Sequence, residues 1–235
     1  MASTPDPAMP VPHTAVASHT ALNLLLAAER LFATHGIDGV SLRQIAAEAG
    51  SSNNSAVSYH FGSKNDLLAA IFSYRLDDLT RRRTQLVERA DPTDLRARIE
   101  AHLIPLLDLA EQPDCHYVTF IEQLQRSGAI DVFVDQRVAV RSHDQFLTDM
   151  RRLLTDLPEP ARTLRIEHVQ DLCVHLAAER ERALDRGDDV LPFALYVSSA
   201  VDGITGFLQA PNSDETTHLL KRFKSAKPRL GLRLV

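Results

Sequence analysis

The sequence is poor in cysteine, has no long apolar run and lacks an overall positive charge, and each absence removes a class of protein. Its two cysteines, Cys115 and Cys173, provide neither a disulfide framework nor the spacing of a zinc site. A membrane-spanning helix would need an apolar run of about 18 residues or more, and none occurs. The net charge of −5 indicates no general attraction to polyanions, so nucleic-acid binding would need a local patch.

The first 19 residues, MASTPDPAMPVPHTAVASH, also lack what a secretion signal requires. They contain four prolines and neither lysine nor arginine, whereas a signal peptide has a basic start followed by an apolar core. We expect a disordered tail over residues 1–19. Together with the low cysteine content, this predicts a protein of the reducing cytoplasm that needs no cofactor and contacts no membrane.

Strand-like alternation of apolar and polar residues is missing, and helical periodicity follows most of the chain. With 44% apolar residues, the chain can bury a substantial core. We therefore predict an all-α protein, with prolines near several of the helix boundaries. The predicted helices cover about 20–35, 41–49, 56–61, 64–87, 93–110, 116–126, 132–154, 160–186, 192–209 and 214–225.

The stretch 41–64, SLRQIAAEAGSSNNSAVSYHFGSK, predicts two short helices joined by a tight polar turn. Ser41 and Gln44 have the spacing of a capping box, in which each side chain satisfies a free backbone N–H at the helix start. Gly50 ends this helix, and Gly62 ends the next. A short second helix rich in Ser, Asn, Tyr and His is typical of a helix-turn-helix that reads the major groove of DNA.

Short polar side chains on that second helix can bond base edges, and longer ones can reach phosphates. A solvated helical hairpin is the alternative for this turn taken alone. We expect base contacts from Ser52, Asn53, Asn54 and Ser55. Phosphate contacts are expected from Ser41, Arg43, Tyr59, His60 and Lys64, and Gln44 and Ser58 complete the predicted DNA-binding surface.

Several spaced motifs in this region resemble the N-terminal domain of TetR-family transcriptional regulators. The motifs are LLLAAERLF at 24–32, Gly36, SLRQIA at 41–46, Ala49-Gly50, YHF at 59–61 and SKNDLL at 63–68. The segment between Gly50 and Phe61 is one residue longer than the commonest family pattern. Ser58 stands where that pattern has an aromatic residue.

The resemblance implies a fold, a domain division and a function. It implies a helix-turn-helix domain over 20–75, a helical ligand-binding and dimerisation domain over 76–212, and a C-terminal helix with a basic tail over 213–235. The expected protein is a homodimeric repressor that binds a near-palindromic operator on double-stranded DNA and is released by a small molecule. The helix starting at Lys64 would join the domains and move with the ligand.

Two predictions concern single faces of these helices. On the first helix the expected buried stripe includes Leu31 and His35, with Glu29 and Arg30 facing outward. The cluster 81–83 of three arginines is either a phosphate contact or a solvated face near a helix end, and the solvated face is the preferred interpretation.

The last two long helices are apolar over more than one face, which indicates burial both within the chain and against a partner. The second of them also has the small residues Ser198, Ser199, Gly203 and Gly206, which allow close approach. We expect a dimer interface here, as the resemblance implies, and a monomeric core is the alternative.

Aromatic and polar side chains in the middle helices are candidates for a ligand cavity, because such sites are mostly apolar with a few polar anchors. The expected effector is apolar, aromatic or acyl in character. For each candidate taken alone, a position in the core is the preferred interpretation. The candidates are His102, Tyr117, Phe120, Gln123, Phe133, Phe146, Met150 and His168.

Catalytic and metal sites are not indicated. His168, Cys173 and His175 point in different directions on one helix, so no metal is expected, and no glycine-flanked nucleophile motif occurs. The protein is therefore not expected to be an enzyme. The alternatives to a regulator are an interaction module that kept the fold without reading DNA, and an α-helical enzyme that uses the central cavity. The basic segment from Lys221 to Arg233 is expected to be a solvated tail.

Overall fold

The computed structural model describes residues 19–128 and 137–222, without the side chains of 137–144. The described residues form ten α-helices and no strand, so the all-α prediction is confirmed. The helices are α1 (His19–His35), α2 (Leu42–Glu48), α3 (Ala56–Phe61), α4 (Lys64–Arg89), α5 (Leu95–Ala110), α6 (Tyr117–Arg126), α7 (Arg137–Leu153), α8 (Ala161–Asp185), α9 (Phe193–Gln209) and α10 (Asp214–Arg222).

The helix starts near the N-terminus are capped as the sequence predicts. Ser41 and Gln44 form a complete capping box at α2, and Ser63 and Asp66 form another at α4. Each box satisfies free N–H groups at a helix start, which fixes where the helix begins. Residues 1–18 of the tail predicted at 1–19, most of the basic tail after 222 and Phe133 lie outside the described residues. His19, the last residue of that predicted tail, begins α1 instead.

Helix α1 packs against α6, so the N-terminal and C-terminal helices share one apolar core. The ring centroids of Phe32 on α1 and Phe120 on α6 are 6.3 Å apart. The hydroxyl of Tyr117 on α6 donates a hydrogen bond of 3.0 Å to the backbone oxygen of Phe72 on α4. Helix α6 therefore contacts both α1 and α4.

The predicted outward position of Glu29 is wrong, because its side chain is only 1% exposed. It accepts a hydrogen bond of 3.0 Å from the backbone N–H of His116. Its Oε2 lies 3.8 Å from Nε of Arg75. The predicted stripe also placed His35 inside, whereas His35 is exposed and Leu31 is only partly buried. The burial of Glu29 depends on α6, which the pattern of α1 alone cannot reveal.

The predicted solvated face at 81–83 is wrong for one of its three arginines. Arg81 and Arg82 lie outside and pair with Asp78, but Arg83 is buried and only 5% exposed. The reason is helical geometry, since Arg83 follows Leu76 and Leu79 on the buried stripe of α4.

Helix α9 buries one row of residues in the chain and leaves the opposite face open. The buried row consists of Val197, Val201, Ile204 and Leu208. On the other side, Leu195 is 54% exposed and Phe207 40% exposed. None of the described helices is both long enough and apolar enough to cross a membrane.

Candidate nucleic-acid interface and ligand cavity

Helices α2 and α3 are held together by a small apolar contact that orients the rest of the turn. Ile45, Val57 and Phe61 are buried in the core. Gly50 has φ of +71°, a left-handed conformation that costs glycine little. The N–H of Ser51 closes the turn on the backbone oxygen of Ala46 at 2.9 Å. This arrangement directs the other side of α3 to the surface.

The outward face of α3 and of the turn before it consists of polar side chains. Asn54, Ser55 and Ser58 are exposed, and Tyr59 is 83% exposed. The rings of Tyr59 and His60 meet edge to face, with centroids 5.0 Å apart. The structure thus brings these predicted residues together on one exposed surface, where amide and hydroxyl groups can reach the floor of a groove.

Three predicted DNA-binding residues have internal partners instead of free side chains. The Ser41 hydroxyl donates to Oε1 of Gln44 at 2.7 Å, so both side chains are engaged in capping α2. Oδ1 of Asn53 accepts the backbone N–H of Ser55 at 2.9 Å. The remaining donor of Asn53 is its amide nitrogen.

Lys64 is also engaged within the chain. Its ammonium donates to the backbone oxygen of Val40 at 2.7 Å and lies 5.5 Å from the centroid of the Phe32 ring. These contacts tie the start of α4 to α1 and to the loop before α2. An ammonium has three donors, so a phosphate contact by Lys64 stays a prediction.

The charges of the N-terminal helices are largely paired with one another. Arg30 pairs with Glu48, and Asp66 is used in its capping box. Arg43 is exposed on α2 and forms no ion pair with a described residue. Arg43 is therefore the cation on this surface with the fewest competing contacts.

A partly open cavity of about 490 Å³ lies between α4, α5 and α7. Two predicted ligand-site residues, His102 and Phe146, line it, and their rings stack with centroids 4.0 Å apart. Its volume is in the range of small-molecule sites. Residues 80–88 of α4 form one wall, so the cavity contacts the helix that begins in the helix-turn-helix region.

The other predicted ligand-site residues that the structure describes do not line this cavity. Tyr117 and Phe120 are in the core between α6 and the N-terminal helices, and Nε2 of Gln123 approaches the backbone oxygen of Ala33 at 3.5 Å. Met150 is buried away from the lining. His168 is exposed on α8.

Sequence reasoning missed the charged part of the cavity. Thr80, Arg83 and Arg98 line it together with Asp149. The signal for Arg83 was present, since the spacing of Phe72, Leu76, Leu79 and Arg83 continues one helical stripe. An arginine on such a stripe must be buried or at the end of the core.

Among the described residues, no three His, Cys, Asp or Glu side chains are placed to share a metal ion. Cys173 is fully buried on α8, and burial raises the pKa of its thiol to about 12. His175 instead lies 2.9 Å from Oε1 of Glu122 through its Nδ1.

Comparison with known proteins gives one family match. Residues 24–71 match the model of bacterial regulatory proteins of the tetR family. This span contains α2, α3 and the start of α4, together with most of α1. No curated protein sequence matches the chain.

The fold is similar to that of several solved regulators at low identity. A TetR family transcriptional regulator, PfmR from Thermus thermophilus, has 18% identity and a TM-score of 0.52, with 81% of this chain and 96% of that chain covered. AmtR from Mycobacterium smegmatis has 18% identity and a TM-score of 0.55, covering 83% and 88%. NalD from Pseudomonas aeruginosa, the secondary repressor of the MexAB-OprM multidrug efflux pump, has 20% identity and a TM-score of 0.51, covering 79% and 95%.

Proposed function

We propose that this chain, whose residues 24–71 match the tetR family of bacterial regulatory proteins, is a homodimeric transcriptional repressor. It binds a near-palindromic operator through α2 and α3 and is released by a small molecule. The proposed division places the DNA-binding domain at 20–75 and the ligand-binding and dimerisation domain at 76–212.

The observation that carries the proposal is the polar surface of α3 and its preceding turn. Asn54, Ser58 and Tyr59 are exposed together, while Val57 and Phe61 hold the helix from behind. Asn can bond an adenine edge with two hydrogen bonds, and Ser can meet donor or acceptor edges. A helix presented in this way is suited to the major groove.

The open face of α9 supports the dimer. Gly203 and Gly206 lie on this face, and a Cβ added at either would meet no atom within 4 Å. Leu195 and Phe207 flank them with exposed apolar surface. A two-fold partner that places the same face against this one would bury those side chains. Two helix-turn-helix units related by a two-fold axis then require DNA half-sites about 34–36 Å apart or a multiple of that distance.

Release by a ligand is supported by the position of the cavity on α4. The N-terminal turns of α4 pack Leu67, Leu68 and Ile71 into the core beneath α1 and α3. Its C-terminal turns form a cavity wall. A ligand that favours a different tilt of α4 would change the spacing of the two helix-turn-helix units of the dimer. Operator affinity would then fall by at most the ratio of the ligand's affinities for the released and the DNA-binding conformations.

A second candidate function, an interaction module that does not read DNA, is favoured by the paired charges of the N-terminal helices. Arg30 is paired with Glu48, and Lys64 is held by Val40. Such a surface has little electrostatic attraction for phosphates.

A binding selection separates the two candidates. Purified full-length protein, shown to be folded and dimeric, is incubated with fragmented genomic DNA of its source at low salt, and the bound fragments are sequenced. We expect an enriched near-palindrome upstream of genes. No enrichment from protein freed of bound small molecules by unfolding and refolding would favour the interaction module.

A further inference from the structure

The cavity contains a buried cation that has no counterion among the described residues. Arg83 is 5% exposed, and its Nε and Nη2 have no hydrogen-bond partner. None of the described carboxylates forms an ion pair with it. Burial lowers the pKa of Arg83 to about 10, so the guanidinium still carries its charge at neutral pH. A buried charge without a partner is costly for the folded protein.

Two donor atoms of neighbouring residues also lack hydrogen-bond partners. Nε of Arg98 and Oγ1 of Thr80 are buried without a hydrogen-bond partner, and both residues line the cavity with Arg83. Thr80 lies three residues before Arg83 on α4, so the two side chains are on one helix face. A group with two acceptor oxygens could therefore be bonded from α4 and from α5.

The carboxylates at the cavity do not neutralise Arg83. Asp149 is buried and is shared by Arg98, at 3.7 Å from Nη1, and Arg152, at 3.5 Å from Nη2. Glu88 also lines the cavity but is exposed to solvent. Among the described side chains, the balance leaves one buried positive charge, which matches a ligand with a single negative charge.

Another part of the cavity lining is mostly apolar. The ring of Phe146 stacks on His102, and Val87 and Ala101 complete this part of the lining. An aromatic or aliphatic body can pack there while a charged end meets Arg83. We infer that the cavity binds a small organic carboxylate, with Arg83 and Thr80 of α4 and Arg98 of α5 as the residues that hold its carboxylate group.

This inference deepens the proposed function, and its link to release rests on that proposal. The carboxylate would attach to the C-terminal turns of α4, whose N-terminal turns support α3. Ligand binding and α4 position are then coupled through one helix. The effector predicted from sequence alone was apolar, and the buried guanidinium adds a required negative charge.

Binding to a panel of matched compounds tests the inference without DNA. The panel consists of benzoate, 3-phenylpropionate, hexanoate and octanoate, the amide of each, and phenyl phosphate, at millimolar concentration. The readouts are the Tm of the full-length protein and titration calorimetry. We expect at least one carboxylate to raise the Tm while its amide does not. Stronger binding of phenyl phosphate than of every carboxylate would overturn the carboxylate assignment in favour of a phosphate ester.

Substitution identifies the residue responsible. Arg83→Met should weaken carboxylate binding by about tenfold or more, because a charge-assisted hydrogen bond is lost. Without ligand its Tm should equal or exceed that of the wild type, since a buried unpaired charge is removed. Arg81→Met, on the outer face of α4, is the control and should bind as wild type.

The inference would also be overturned by equal binding of amides and carboxylates, by unchanged carboxylate binding by Arg83→Met, or by no stabilisation from any carboxylate of the panel. A clearly lower Tm of ligand-free Arg83→Met would do the same, because it would show that Arg83 is a structural residue. Failure of the genomic selection leaves these results unaffected, so the failure of the proposed function can be distinguished from the failure of this inference.

Discussion

Two buried carboxylates hold the start of α6, a helix whose N-cap residue provides no side-chain cap. Glu29 of α1 accepts the N–H of His116 at 3.0 Å. Glu181 of α8 accepts the N–H groups of Val118 at 3.1 Å and Thr119 at 2.8 Å. Free N–H groups at a helix start attract negative charge. These two side chains therefore join α1, α6 and α8 at one point.

The stability of the protein should depend on pH through Glu181. Burial raises the pKa of its carboxyl group from 4.5 to about 7. The folded protein then binds this proton more tightly than the unfolded chain. The free energy of unfolding should consequently fall as pH rises from about 4.5 to 7, by up to about 3 kcal/mol.

Glu181→Gln removes this titration, so its stability should fall less over the same interval. Urea unfolding at pH 5, 6, 7 and 8 measures the effect. Glu179→Gln, an exposed change on the same helix, is the control and should follow the wild-type profile. Parallel profiles for all three proteins would show that Glu181 does not titrate in this range.

A second residue-scale prediction concerns Arg43, the exposed cation on α2. Arg43→Ala should weaken binding to all DNA sequences and lower the slope of log K against log salt by about one, because one phosphate contact is lost. Arg81→Ala removes an exposed arginine far along α4 and should leave the slope unchanged. Fluorescence anisotropy at several salt concentrations measures both, and an unchanged slope for Arg43→Ala would remove Arg43 from the interface.

At the scale of elements, local signals predicted most of the fold. Ser41 and Ser63 begin α2 and α4 as expected from their capping boxes, and Gly50 and Gly62 end α2 and α3 with positive φ. These features depend only on residues close to one another along the chain, so they can be predicted from the sequence. The outward surface of α3 could be predicted for the same reason.

Contacts between distant elements could not be predicted. Glu29 is buried because the start of α6 lies against it, and its partner His116 is 87 residues away. Which aromatic residues line the cavity was also undecided, since Tyr117 and Phe146 have similar helical patterns. Their different positions depend on how α6 packs against α1 and α8, and on how α7 packs against α4 and α5. A stripe reveals that a residue is buried but not what it faces.

The open face of α9 yields a prediction at this scale. Gly203→Arg should convert the dimer to a monomer and lower operator affinity, because an arginine would occupy the place of the partner's helix. The single chain can accommodate the change, as a Cβ at this position meets no atom within 4 Å. Gln85→Arg, exposed on α4, is the control. Sedimentation measures the mass of the assembly. If Gly203→Arg remained a dimer with unchanged operator affinity, the interface would lie elsewhere.

At the scale of the whole molecule, the helix-turn-helix is connected to the cavity through α4, which α6 also contacts. Helix α4 extends from the capping box at Ser63 to the cavity wall, and α6 contacts α1 through Phe120 and α4 through Tyr117. A change in the cavity can therefore reach α3 without a loop as intermediary. Such a connection suits a regulator in which one ligand sets the spacing of two helix-turn-helix units.

The most direct measurement is a selection from a randomised DNA library, performed in parallel on the wild type and on Asn54→Ala. We predict that the wild type enriches a near-palindrome whose half-sites are separated by the helical repeat of DNA. Asn54→Ala should alter base preference at one symmetric pair of positions, one in each half-site. No enriched motif at low salt from folded, dimeric, ligand-free wild type would contradict the proposed role of α3 in reading DNA.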